Sequence, residues 1–141
     1  MIKELFVDTN VLLKVFLSEE DFESVLKVLG LIEEKEITGF LSTVSVSELV
    51  TIFGRRKQYV DLDHILPWLS RNFEIVSVST EIAILAGHLK ARYASAKSPL
   101  SFADSIIAAS SILYDTSLIT FDSEFNKIKE LEISLPDEIL K

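Results

Sequence analysis

Leu5-Phe6-Val7-Asp8-Thr9-Asn10 runs three apolar residues straight into an acid, a hydroxyl and an amide. The apolar part is too short for a helix, and Asp-Thr-Asn supplies residue types that open one, so the stretch reads as a strand delivering a helix start. Four further strand candidates lie downstream, at 39–42, 73–78, 117–120 and, more weakly, 132–134. Helical periodicity fills the intervals. Phe22, Val25, Leu26, Leu29 and Ile32 recur at threes and fours, as do Val46, Leu49, Val50 and Phe53. Ile82, Leu85, Ala86 and Leu89 form a third set, and Phe102, Ile106, Ala109 and Leu113 a fourth. Residues 61–72 suit another helix that Pro67 either kinks or starts, and 94–100 carries the small residues and proline of a loop. Strands alternating with helices predict an α/β fold, a mostly parallel sheet covered by helices on both faces.

The 141 residues suit a single domain over 1–141, with no internal repeat or low-complexity segment. At 48% hydrophobic against 26% charged residues, the chain can bury a sizeable core and is not of the disordered class. It has no cysteine, which excludes disulfide scaffolds, thiolate zinc sites and cysteine nucleophiles. Charges at Lys3 and Glu4 interrupt any signal-like apolar run, and no stretch reaches membrane-spanning length, so the expectation is a soluble, cytoplasmic protein with no membrane partner. The net charge of −8 argues against non-specific coating of nucleic acid. It leaves room for an enzyme that holds cations with carboxylates, because the bound cation reverses the local sign.

In an open parallel sheet ligands bind beyond the carboxyl ends of the strands, which directs attention to Asp8 and Asp122, each just past a strand. Either could equally be an N-cap, accepting from an orphan backbone N–H. Asp104, three residues after Ser101 and ahead of an apolar run, reads as the acidic member of a capping box or as a site acid in a first helical turn. Glu48 interrupts the apolar line Val44, Glu48, Ile52. It is either a boundary residue reaching for water or a ligand facing a polar pocket. The four acids come from separate segments whose helix starts share one sheet edge, so they can converge there.

With those residues in view, the chain resembles the PIN-domain family. Phe6-Val7-Asp8-Thr9-Asn10 is similar to the family's opening motif and Ser45-Val46-Ser47-Glu48-Leu49 to its internal glutamate motif. Phe102-Ala103-Asp104-Ser105-Ile106-Ile107-Ala108-Ala109 is similar to its third motif, and Thr120, Asp122 and Phe125 stand in the relation of its fourth. The resemblance implies strand order 3-2-1-4-5, an acidic pocket at the carboxyl edge, Mg²⁺ or Mn²⁺, and hydrolysis of RNA. Asp8, Glu48 and Asp104 would form the metal-binding core, with Asp122 the more variable fourth acid. Thr9, Asn10 and Thr120 would support the pocket. Chain length near the bare domain resembles the toxins of toxin–antitoxin pairs, which implies a cognate antitoxin and a homodimer. The segment 96–101 ahead of Asp104 departs from any pattern that can be matched residue by residue.

The chemistry suits such a set. Phosphodiester hydrolysis loads negative charge onto a phosphoryl centre, and a hard cation on oxygen ligands acidifies water and stabilises that charge. On this reading Asp8 and Asp104 bind metal directly, Glu48 binds through water or orients the attacking water, and Asp122 helps hold a second ion. Arg55, Arg56 and Lys57 close the helix bearing Glu48, where they serve either the helix C-terminus or RNA phosphates. Lys90, Arg92 and Lys97 precede Asp104 and are either a solvated helix end or further RNA contacts. His64 and His88 receive no catalytic role. Three competing functions are a phosphotransferase of the haloacid-dehalogenase type, an RNA-processing PIN nuclease outside any toxin system, and a non-catalytic PIN-like binding module. The first normally wants a second Asp two residues after the first, where this chain has Asn10.

Overall fold

The computed structural model describes residues 2–20 and 22–141. In chain order its elements are β1 (Glu4–Val7), α1 (Thr9–Phe16), α2 (Phe22–Glu33), β2 (Thr38–Ser42), α3 (Thr43–Arg55), α4 (Tyr59–Asn72) and β3 (Phe73–Val76). There follow α5 (Thr80–Tyr93), α6 (Phe102–Leu113), β4 (Ser117–Ile119), a 3-10 turn (Ser123–Lys127), β5 (Ile133–Ser134) and α7 (Pro136–Ile139). All neighbouring strands pair in parallel, in the order β3-β2-β1-β4-β5, as the family resemblance implies.

β1 lies at the centre, and its alternating side chains divide the interior. Leu5 and Val7 point to one face, with Leu41 of β2, Ile119 of β4 and the inner faces of α1 to α4 and α7. Phe6 points to the other, where Leu118, α5, α6 and the segment after β4 close over it. The register explains the split: Phe6 stands opposite Phe40 and Leu118, so one pleat sends all three to the same side. Gly39 marks a tight point on the first face. A Cβ there would lie 2.9 Å from Phe73 Cε1 and 3.0 Å from Ile32 Cδ1, closer than side-chain packing permits.

Two element boundaries differ from expectation for reasons of pairing. The third strand, expected over 73–78, stops at Val76 because Val76 pairs with Ser42, the last residue of β2. The fourth, expected to reach Thr120, stops at Ile119, opposite the last residue of β1. Pro67 neither starts nor ends a helix. α4 begins at Tyr59 and runs through it, and Pro67 sits on the exposed side, where the Asp63 carbonyl it leaves unbonded can meet water. No helix among the described residues is long and apolar enough to cross a membrane.

Candidate functional site

Three neighbouring strands, in the order β2, β1, β4, end at the same edge and hand their chains to the segments that carry Glu48, Asp8 and Asp122. The chain leaves β3 on one side of β1 and returns through β4 on the other, which opens the crevice of a topological switch point beside β1. The first turn of α6 brings Asp104 to the same neighbourhood.

Asp8 occupies the N-cap position of α1, yet its side chain makes no cap hydrogen bond. Its Oδ2 instead accepts from the hydroxyl of Thr120 at 2.7 Å. Only 4% exposed, the carboxyl is pushed up to about 7. Burial is the main cause, with the charges of Asp104 and Glu48 adding to it; the Thr120 hydroxyl and the Thr9 backbone amide pull the other way. The capping reading of Asp8 therefore fails at the level of the side chain.

Glu48 is half-buried on α3, one position before Leu49, which anchors that helix in the core. Thr9 Oγ1 lies 2.7 Å from Glu48 Oε1 and 2.8 Å from Ser45 Oγ. A hydroxyl has one proton, and a carboxylate can only accept, so Thr9 donates to Glu48 and the Ser45 contact is completed by the Ser45 proton. Glu48 is thus held in a polar pocket, not reaching for bulk water. Ser45, wholly buried at the start of α3, belongs to this support although the sequence reading gave it no role.

Asp104 and Asp122 keep part of their capping character. Ser101 caps α6 by accepting from Asp104 N–H at 3.1 Å, but no bond from the Asp104 carboxylate back to Ser101 N–H completes a capping box. The Asp104 carboxyl is raised, first by burial, then by Asp122, Glu48 and Glu124, with the Ser101 hydroxyl acting against them. Asp122 Oδ1 does cap the 3-10 turn, accepting from Glu124 N–H at 2.9 Å. Thr120 joins the two ends of the site. Its hydroxyl donates to Asp8 and accepts from Asp122 N–H at 3.0 Å. The four acids act on one another electrostatically. Among the described residues, however, no group of three or more His, Asp or Glu side chains is set closely enough to hold a metal ion between them. Asn10 Oδ1 is buried without a hydrogen-bond partner.

The basic residues are placed less simply than their sequence positions suggest. Lys90 Nζ donates to the Leu100 carbonyl and lies 4.8 Å from the Phe102 ring centre. Arg92 pairs with Glu130 at 3.5 Å. Lys97 is exposed on the loop before α6. Arg55 and Arg56 close α3 at the end away from the site edge, since that helix leaves the edge at Thr43. At about 1.5 Å per residue, Arg55 stands roughly 10 Å beyond Glu48 along the axis. Residues missed entirely are Phe121, 38% exposed between Thr120 and Asp122 with Lys14 Nζ 4.7 Å from its ring, and the cluster of Ser98, Glu124 and Lys127. Glu124 and Lys127 form an i,i+3 ion pair, a signal that was available in the sequence.

Comparison with known proteins follows the same outline. A family model described as PIN domain matches residues 5–131. The structure is similar to VapBC2 from Rickettsia felis bound to a promoter DNA fragment, with 20% identity, TM-score 0.77 and 94% of this chain and 98% of that chain covered. It is also similar to a toxin–antitoxin complex from Klebsiella pneumoniae, at 25% identity, TM-score 0.72 and coverage of 94% and 97%. FitAcB from Neisseria gonorrhoeae matches at 21% identity, TM-score 0.75 and coverage of 94% and 97%. No curated protein sequence matches the chain.

Proposed function

The chain belongs to the PIN-domain family, and from that premise we propose that it is a divalent-metal-dependent endoribonuclease, the toxin of a toxin–antitoxin pair. The observation that carries this reading is Asp8: a carboxyl buried at a strand end, with no side-chain cap bond, aimed by the hydroxyl of Thr120, and under the charges of two other acids. A group so placed costs stability unless a cation or a proton joins it. A non-catalytic module has no use for it.

In ligand type the donor set suits a hard divalent cation. It consists of carboxylates steadied by the hydroxyls of Thr9, Thr120 and Ser101, and the unpartnered Asn10 Oδ1 leaves one more acceptor at the start of α1, suited to a water. Asp8 and Asp104 would hold the ion, Glu48 would bind through water or orient the attacking water, and Asp122 would help hold a second ion. When bound, Mg²⁺ or Mn²⁺ acidifies water and offsets the charge that grows on the phosphoryl group. Thr120 keeps Asp8 turned to the crevice, and Thr9 fixes the free oxygen of Glu48 relative to it. Phe121 offers an RNA base a stacking face beside Asp122, and Lys97, exposed on the loop ahead of Asp104, is placed to meet a phosphate.

The toxin assignment rests on similarity to the toxin–antitoxin complex from Klebsiella pneumoniae. An antitoxin that places an Arg into the acid pocket would satisfy these carboxylates in place of the cation. A homodimer would cover exposed apolar residues such as Val50, Tyr59 and Val60. The test is incubation of the purified chain with an RNA mixture and with a phosphomonoester, in Mg²⁺, Mn²⁺ and excess EDTA. RNA cleavage that needs the metal and is lost in Asp8→Asn supports the proposal. Cleavage unaffected by EDTA, or turnover of the phosphomonoester alone, overturns it.

A further inference from the structure

Asp104 and Asp122 stand on segments that the fold brings together only at this edge, and each is a like charge to the other. A central link between the two segments is Lys127, whose ammonium is mostly buried. Its Nζ donates to Ser98 O and Ser98 Oγ, both at 2.6 Å, and to Glu124 Oε2 at 2.9 Å, while the Ser98 hydroxyl also donates to Glu124. Ser98 lies three residues before Ser101, which holds Asp104 N–H; Glu124 N–H is held by Asp122. The chain of contacts therefore runs from one acid to the other through Lys127. A second tie parallels it, as Glu130 accepts from Tyr93 and pairs with Arg92 at the end of α5.

We propose that Lys127 is a positioning residue of the acid site: by clamping the loop 94–101 to the 3-10 turn it keeps the segments that carry Asp104 and Asp122 together, so that both acids can turn to one divalent cation. The proposal rests on the metal-dependent reading above. Charge alone would have the opposite effect. Removing Lys127 leaves Glu124 uncompensated, and a more negative pocket attracts a cation more strongly. Positioning predicts weaker binding.

The experiment is calorimetric titration of the full chain with Mn²⁺, for wild type, Lys127→Met, Lys127→Arg and Ser98→Ala, with limited proteolysis of the loop in parallel. Lys127→Met is expected to bind Mn²⁺ about tenfold more weakly, as for other groups that orient metal ligands. It should also be cut faster within 94–101. Lys127→Arg, which keeps the charge and donors, should restore most of the affinity. Ser98→Ala should shift in the same direction by a smaller factor, and carries the same test should Lys127→Met fail to fold. Wild-type or tighter Mn²⁺ binding by folded Lys127→Met or Ser98→Ala, or unchanged loop cleavage in them, overturns the clamp and leaves the nuclease reading intact. A wild-type chain that binds no Mn²⁺ overturns both.

Discussion

Replacing Asp8 by Asn should make the metal-free protein more stable, by an amount that depends on pH in a defined way. In the folded chain the Asp8 carboxyl titrates at about 7, against 3.8 for the unperturbed group. Below pH 3.8 both folded and unfolded chains hold the proton, and the group is neutral to folding. Between 3.8 and 7 the unfolded chain releases its proton while the folded chain keeps it, so stability falls as pH rises. Above 7 both are ionised and the loss is constant. At about 1.36 kcal/mol per pH unit, the gap sets a ceiling of about 4 kcal/mol. Asn carries no charge, can still accept from Thr120, and forfeits no cap because Asp8 makes none. The variant should therefore gain a few kcal/mol at pH 8 and almost nothing at pH 4. For 141 residues, roughly 3 °C in Tm corresponds to 1 kcal/mol. The expected gain at pH 8 is roughly 5–10 °C.

The assay is thermal unfolding of both proteins in EDTA from pH 4 to 8, repeated at the upper pH in millimolar Mg²⁺. A ligand that binds only the folded state adds about 1.4 kcal/mol for every tenfold by which it exceeds its Kd, and the variant should receive less of this than wild type. A Tm difference that does not change with pH, or a variant less stable than wild type in EDTA at pH 8, would refute the account of Asp8 as a strained site acid. Equal responses to Mg²⁺ would remove it from the metal site.

Asp104→Asn should abolish RNA cleavage, whereas Asp122→Asn should reduce it less, since Asn can still cap Glu124 N–H; equal rates for the two variants in a fluorogenic RNA assay would contradict this. Thr120→Val should cost about 1–3 kcal/mol in urea unfolding, because it strands Asp122 N–H and a buried carboxyl together, and Thr120→Ser should recover most of the loss. If Val and Ser behave alike, the hydroxyl is not the link between Asp8 and Asp122. Gly39→Ala should destabilise by about 1–3 kcal/mol through the contacts with Phe73 and Ile32, without changing the cleavage rate of the folded fraction.

How far the molecule was legible from its sequence depends on which partner each feature needs. The α/β class and the two-faced sheet follow from local periodicity, because Leu5, Phe6 and Val7 must alternate and the helices must bury their stripes. Strand ends do not, since Val76 and Ile119 end their strands only where Ser42 and Val7 do. The strand order came with the family resemblance, not from spacing. Among the site residues, all four acids were identified as candidates, but the geometry of Thr120 was out of reach. Its bond to Asp122 is local, but its hydrogen bond to Asp8 exists only because β1 and β4 lie side by side in one register, 112 residues apart in the chain. The cations show the converse. Lys90 and Arg92 lie close to Asp104 in sequence, and the fold gives them partners that spacing does not show, Leu100 and Phe102 for Lys90 and Glu130 for the still exposed Arg92.

Lys127 combines both limits. Its pairing with Glu124 is a local i,i+3 feature that the sequence displays, whereas Ser98 enters from 29 residues away. Only the tertiary contact distinguishes the two meanings of the pair. An isolated exposed pair at that spacing contributes a few tenths of a kcal/mol to a helical turn, too little to matter for a site. Once the same ammonium is mostly buried and also holds the loop ahead of Asp104, its removal frees a segment that carries a site acid. A surface pair predicts unchanged loop cleavage and a small stability change; a clamp predicts a loosened loop with global stability largely kept. The two differ in where the structure opens, and proteolysis within 94–101 reads that directly.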